Sequence, residues 1–150
     1  MKVYLDTNIL MDLLFSTRPH HEDAEYIFEM AKQRLIEAFV STQSIIDTVF
    51  SGRKYTSDAA YVRESLHSIT RFVNIVTIGL IETDKALLST EKDLEDIAQA
   101  MTADGLNCNI IISNDKDFPL YPEEYPILVM GSAEFVNTCK GLETTEPEWV

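Results

Sequence analysis

Positive charge is what this chain has least of. Lys and Arg number 12 against 25 Asp and Glu, a formal net charge of -13 over 150 residues. Phosphate affinity comes from Lys and Arg, so the balance does not suggest a classical nucleic-acid binder. The excess acid has three uses open to it: a carboxylate cluster awaiting a cation, a surface for a basic partner, or a solvated face. Cysteine is almost absent. Cys108 and Cys139 make neither a disulfide framework nor a metal spacing, and their apolar surroundings predict buried free thiols. No apolar run nears the ~20 residues of a membrane-spanning helix. The N-terminus lacks a basic region followed by an apolar core and a small-residue cleavage site, so a cytoplasmic protein is expected. A glycine-rich phosphate loop, internal repeats, low-complexity segments and a domain linker are all missing. What is left, 45% hydrophobic and 25% charged, is the composition of an ordinary globular domain with a real core.

Short apolar runs alternate along the chain with segments whose apolar residues recur at helical spacing. Val3, Tyr4 and Leu5 suit a short buried strand that stops at Asp6. An acid where a buried strand ends is costly unless something pairs with it, so Asp6 is either a charge held at a site or a helix cap. Thr7 and Asn8 are good caps for a helix Ile9 to Phe15, which Ser16-Thr17-Arg18-Pro19 breaks. Ala24, Ile27, Phe28, Ala31 and Leu35 recur at helical spacing over His20 to Leu35. Ala38 to Ser41 reads as a strand, with Thr42 or Ser44 capping a helix that frays near Ser51-Gly52. A helix from Ser57 or Asp58 carries Ala59, Val62, Leu66 and Ile69 on one face. A strand Phe72 to Thr77 and a short helix Glu82 to Leu88 follow. Thr90-Glu91-Lys92-Asp93 opens the next helix as a capping box, with Leu94, Ile97, Ala98 and Met101 as its apolar stripe and Gly105 as its stop. Asn109 to Ser113 and Ile127 to Val129 are strands, Ser132 to Lys140 is a helix, and Thr144 to Val150 is an acidic tail. Strands alternating with helices predict an α/β fold with a mainly parallel sheet.

In such a sheet ligands sit beyond the carboxyl ends of the strands. Acids gather there. Asp6 ends the first strand, Asp47 lies in the helix after the second, Asp93 and Asp96 precede the fourth, and Asp115 and Asp117 follow it. Asp93 and Asp96, three residues apart, share an edge beside the apolar stripe. Each acid has an ordinary use: Asp93 completes a capping box, Asp115 makes an Asn-Asp turn, Asp47 faces solvent. Asp12, His20 and His21 read as surface or capping residues, and Glu22, Asp23, Glu25 and Glu29 as a solvated helix face. If three or four of the acids converge, repulsion at about 4 Å is roughly 4 kcal/mol per pair at an effective dielectric near 20. Protonation or a cation must then relieve it. All-oxygen donors select Mg²⁺ or Mn²⁺ over zinc. Such an ion suits activation of water against a phosphodiester.

Four segments resemble the PIN-domain family: KVYLDTNILMDLL its opening strand and helix, FVSTQSIIDTVF its second strand and following helix, EKDLEDIAQAMTADGLNCNIIISNDKDF its acidic helix, strand and acidic loop, and Pro126 to Val136 its closing strand and helix. The resemblance implies a three-layer α/β/α fold around a five-stranded, mainly parallel sheet. Residues 1–140 would form the nuclease domain and 141–150 an acidic C-terminal tail. It implies a metal-dependent endoribonuclease, often the toxin of a VapBC-type toxin–antitoxin pair. By position Asp6 would be the first metal ligand, Asp96 the third acid and Asp115 the fourth, with Asp117 close by. Asp93 matches an additional acid seen in a subset of the family. Asn8 and Ser113 fall where the family keeps small polar residues, Ser113 replacing the more usual threonine. The second acid is usually glutamate; here the position holds Asp47, one methylene shorter. One or two Mg²⁺ held by Asp6, Asp96 and Asp115 would lower the pKa of a bound water, and hydroxide would attack a phosphate in line to leave a 5′-phosphate and a 3′-hydroxyl. Arg18, Arg53, Lys54 and Lys116 are candidate phosphate contacts, with scattered solubilising charge as the plainer reading. The partners implied are single-stranded or structured RNA, a small antitoxin that inserts a basic residue among the acids, and a second copy of the chain.

Rival readings exist. A non-catalytic PIN-like scaffold binding RNA or protein is favoured by the shortened second acid and the acidic surface. A HAD-type phosphatase also places Asp after its first strand, but it needs a second Asp two residues on, where Asn8 stands. A phospho-acceptor domain wants paired acids before its first helix and a lysine at a late strand end, and neither fits.

Overall fold

Side chains of a strand alternate between faces, and here both faces are apolar. In β1 (Lys2–Leu5), Val3 and Leu5 enter one core cluster and Tyr4 the other. In β2 (Glu37–Ser41), Ala38 and Val40 go with Val3, and Phe39 with Tyr4. In β4 (Ile110–Ile112), Ile110 and Ile112 go one way and Ile111 the other. A sheet apolar on both faces must be covered on both. Apolar stripes of α1 (Thr7–Leu14), α2 (His21–Lys32), α3 (Thr42–Ser51), α4 (Ala59–Ile69) and α7 (Ser132–Glu143) cover the first face. The other face meets Ala100 and Ala103 of α6 (Leu94–Gly105), and α6 in turn packs on α5 (Leu80–Leu88). The result is a three-layer α/β/α domain, as the resemblance implied. With β3 (Asn74–Val76) and β5 (Leu128–Met130), the strand order is β3-β2-β1-β4-β5, and every pair is parallel.

The computed structural model describes residues 1–90, 93–116, 118 and 127–143. Asp117, Glu91 and Lys92 of the expected capping box, Pro126 and the tail Thr144 to Val150 with Trp149 lie outside them. Among the described residues no helix is long and apolar enough to cross a membrane. The thiols of Cys108 and Cys139 are buried, as expected.

The differences from the sequence reading fall at caps and helix edges. Asp6, not Thr7 or Asn8, caps α1: its carboxylate accepts from the Thr7 amide, which leaves Thr7 inside the helix. Ser41, not Thr42 or Ser44, caps α3, because the last residue of β2 turns its hydroxyl onto the Ser44 amide and leaves no linker. Asp93 caps α6 directly through the Asp96 amide, so the helix does not open on a box from Thr90. Starting there turns Leu94 outward and puts Asp96, Ile97, Gln99, Ala100 and Ala103 on the covered side. Gly105 stays helical, and Asn107 takes the left-handed turn at φ 58, a conformation Asn tolerates. α2 ends at Lys32, with Arg34 left-handed at φ 62, so Leu35 is exposed rather than part of the stripe.

Candidate active site at the carboxyl edge of the sheet

β1 lies between β2 and β4, where the strand order reverses, and open α/β sheets bind ligands beyond the carboxyl ends at such a point. Asp6 follows β1 there, and its amide donates to the carbonyl of Ile112, the last residue of β4. The Asp6 side chain is 5% exposed, and both of its oxygens are held. Oδ1 accepts from the Thr7 amide at 2.7 Å and from Gln99 Nε2 at 3.2 Å. Oδ2 accepts from Ser113 Oγ at 2.7 Å and from Asn8 Nδ2 at 3.0 Å. Ser113 Oγ in turn accepts from the Asp115 amide at 3.1 Å. Asn8 and Ser113, chosen from the sequence, therefore grip the first acid directly. Asp6 is at once the cap and the acid at the strand end.

Asp6, Asp47, Asp93, Asp96 and Asp115 line one open cleft of about 530 Å³. The cleft also takes in Glu95, which the sequence reading left out. These acids come from β1, α3, α6 and the loop after β4, so scattered positions do meet in space. Burial pushes the Asp96 carboxyl up to about 7, with repulsion from Asp6, Asp93, Asp115 and Glu95 adding to it. Asp96 is 6% exposed, and its Oδ2 is buried without a hydrogen-bond partner among the described residues. Glu95 is exposed as a residue, but its carboxyl turns into the cleft. Partial burial there, then the charge of Asp47 and a hydrogen bond shared with it, raise Glu95 to about 7. Burial also raises Asp6, against the lowering effect of its hydrogen bonds.

Asp47 meets Glu95 across the cleft and accepts from Gln43 Nε2 at 2.9 Å on its own helix. Among the described residues no group of three or more His, Cys, Asp or Glu side chains is already arranged to hold a metal ion. The acids share a cleft rather than a closed coordination shell. Their chemistry still fits a hard divalent ion: every donor is oxygen, the carboxylates repel one another, and among the described residues no donor satisfies Asp96 Oδ2.

Of the four cations picked from the sequence, Arg18 and Lys54 line the cleft. Arg53 lies over the Phe50 ring, 5.1 Å from its centroid, and neither it nor Lys116 lines the cleft. Three other residues escaped the sequence reading. Gln99 bonds Asp6, and its signal was a lone amide among small residues, three positions after Asp96. Asn114 Nδ2 donates to Asp12 Oδ2 at 3.0 Å and to Ser132 Oγ at 2.9 Å, and Asn114 Oδ1 accepts from the Ser132 amide at 3.0 Å. Asp12 is a correction: only 1% exposed, it is neither a surface nor a capping residue. It sits on the covered face of α1, where Arg18 and Asn114 satisfy its carboxylate.

A family profile described as the PIN domain matches residues 2–117. The chain is 31% identical over 125 residues to Ribonuclease VapC1 of Aquifex aeolicus (strain VF5), covering 78% of this chain and 83% of that one. In fold it is similar to VapBC2 from Rickettsia felis, solved bound to a DNA fragment from its promoter, with a TM-score of 0.61, 13% identity and coverage of 87% of this chain and 98% of that one. It is likewise similar to Mycobacterium tuberculosis VapC20, described as a sarcin-ricin loop cleaving toxin, with a TM-score of 0.63, 14% identity and coverage of 77% and 92%.

Proposed function

This chain belongs to the PIN-domain family, and from that premise we propose that it is a divalent-metal-dependent endoribonuclease, the toxin of a toxin–antitoxin pair. The observation that carries the proposal is Asp96 Oδ2, buried and without a hydrogen-bond partner among the described residues, on a side chain that lines one cleft with Asp6 and Asp115. Asp6, Asp96 and Asp115 would hold Mg²⁺ or Mn²⁺, with Asp93 and Asp47 at the margin and Asp117 beside Asp115 in sequence. When bound, the ion supplies charge neutralisation and a bound water of lowered pKa. The rest of the work falls to the chain. Ser113, Asn8, Gln99 and the Thr7 amide fix both oxygens of Asp6, which keeps that carboxylate from rotating as charge develops on substrate. Burial, then the charge of Asp47 beside it, raise Glu95 to about 7, which reduces the charge that an incoming phosphate meets near neutral pH.

RNA is the proposed substrate, by analogy with the Aquifex ribonuclease. The proposed regulator is a small antitoxin that lays a basic residue among the acids. A cytoplasmic location, a homodimer and a division into a domain over 1–140 with a tail from 141 belong to the same reading; α7 itself continues to Glu143.

The test mixes purified protein with single-stranded RNA and Mn²⁺, beside an Asp6→Asn/Asp96→Asn control. Cleavage by the first sample alone supports the reading. Equal cleavage in both would mark a contaminant, and binding without cleavage would point to the scaffold alternative.

A further inference from the structure

Two cations, Arg18 and Lys54, line the cleft, and Arg18 is held by the buried carboxylate of Asp12. We propose that Arg18 is the residue that binds the substrate's phosphate beside the carboxylates, and that buried Asp12 is the residue that positions it. The inference rests on the nuclease reading, whose substrate is a phosphodiester.

Arg18 Nε donates to Asp12 Oδ1 at 2.6 Å, and Nη1 donates to Tyr55 Oη at 2.7 Å. The guanidinium lies 5.6 Å from the centroid of the Tyr55 ring, and that ring stacks on Phe15 at 4.7 Å and 17°. Phe15 belongs to the core. A solubilising arginine has no need of a carboxylate, a phenol and an aromatic wall that runs into the core. Among the described residues those bonds engage two of the five N–H donors of the fork, and Arg18 lines the same cleft as Asp6 and Asp96. A planar fork held in one orientation suits bidentate contact with phosphate oxygens. Lys54 lines the cleft as well and adds a second charge.

Asp12 does two things with one carboxylate. Oδ1 takes Arg18, and Oδ2 takes the side chain of Asn114, whose backbone N–H donates to Asn8 Oδ1 at 3.1 Å. Asn8 in turn holds Asp6. The guanidinium and the metal-binding acids are therefore set against each other through one buried anion.

The experiment measures cleavage of a single-stranded RNA oligonucleotide by the wild-type chain, Arg18→Lys, Arg18→Gln and Asp12→Asn. It also measures binding of that oligonucleotide in an Asp96→Asn background, where cleavage is blocked. Arg18→Lys keeps a charge against buried Asp12 but loses the fork; its KM is expected to rise about tenfold, with kcat within a few-fold of wild type. Asp12→Asn is expected to raise KM by less, and to add little when combined with Arg18→Lys, because the two act through one contact. Arg18→Gln is expected to lower the slope of log affinity against log salt by about 0.7, one phosphate contact on a single strand. If Arg18→Lys and Arg18→Gln change only the melting temperature or kcat, with KM and the salt slope as in wild type, Arg18 is a structural clasp and the inference is overturned. If the wild type binds RNA with an Arg18-dependent slope but does not cleave it, the inference stands and the nuclease reading falls.

Discussion

The two flanks of Asp6 are built on opposite principles. Towards α1, β4 and α7, the polar groups close on one another: Asn8, Ser113, Asn114, Asp12 and Ser132 each find partners at 2.7–3.3 Å. Towards α3 and α6, carboxylates face carboxylates. Asp47, Asp93, Glu95 and Asp96 share the cleft, Glu95 and Asp96 titrate near 7, and one oxygen of Asp96 is left over. Buried polar groups are nearly always hydrogen-bonded, so the closed flank is ordinary protein and the open flank is the exception. Groups left in mutual repulsion mark the place where a further positive charge lowers the free energy. The closed flank supplies the rigidity that lets the open one stay strained.

The contrast breaks most sharply at Asp96. Asp96→Asn should lower cleavage by at least ~100-fold, a loss of the size that follows disturbance of a metal's surroundings. The same change should raise the melting temperature of metal-free protein, because it removes one of several repelling charges. Thermal unfolding in EDTA beside a cleavage assay reads both, and a variant that loses stability along with activity would contradict the picture of a strained flank.

On the closed side the expected direction is opposite. Asn114→Ala strips Asp12 Oδ2 and the Ser132 amide of a partner and should cost about 2–3 kcal/mol in denaturant unfolding, whether or not metal is present. A loss that vanishes when Mn²⁺ is added would instead place Asn114 with the open flank.

pH sharpens the comparison further. Asp96 and Glu95 ordinarily titrate near 3.8 and 4.5 but hold protons up to about 7 in the fold. Between those limits the folded state binds more protons than the unfolded one, so metal-free stability should fall as pH rises through about 4 to 7. Below that window both states are protonated and these two groups contribute no slope. Because an ion competes with those protons, Mn²⁺ at about 100 times its Kd should add roughly 2.7 kcal/mol at pH 8 and distinctly less at pH 5. Calorimetry at the two values decides it, and equal stabilisation at both would detach the ion from these carboxyls.

Asp47→Asn should do least. It removes the charge that helps raise Glu95, so Glu95 should titrate lower, and cleavage should change by no more than ~10-fold. A loss as deep as that of Asp96→Asn would make Asp47 a full metal ligand despite its shorter side chain.

The positions that could be read in advance have a common character. Strands came from local apolar runs, and Asp6, Asp96 and Asp115 were found because each stands beside the end of a strand or on the helix before one. Asn8 and Ser113 followed from their place in the family pattern. The positions that escaped are those whose role is a partner far along the chain. Asp12 looked like any helical acid until Arg18 and Asn114 closed on it. Glu95 drew no notice until α3 brought Asp47 against it. The cap at Ser41 was displaced because β2 and α3 abut with no intervening linker, and the one at Asp93 because α6 starts at Leu94 rather than at Thr90.

By itself the sequence determined the parallel α/β architecture, because short continuous apolar runs and 3.6-residue apolar periods are local properties of the chain, and runs apolar on both sides force a sheet covered on both faces. It also determined that acids would collect at the carboxyl edge, since strand ends can be counted along the chain. Only the tertiary structure decided which of those acids would be satisfied and which left repelling. That depends on distances between residues about a hundred positions apart, such as Asn8 and Asn114, and hydrogen bonds and charges act through those distances, whatever the spacing in sequence.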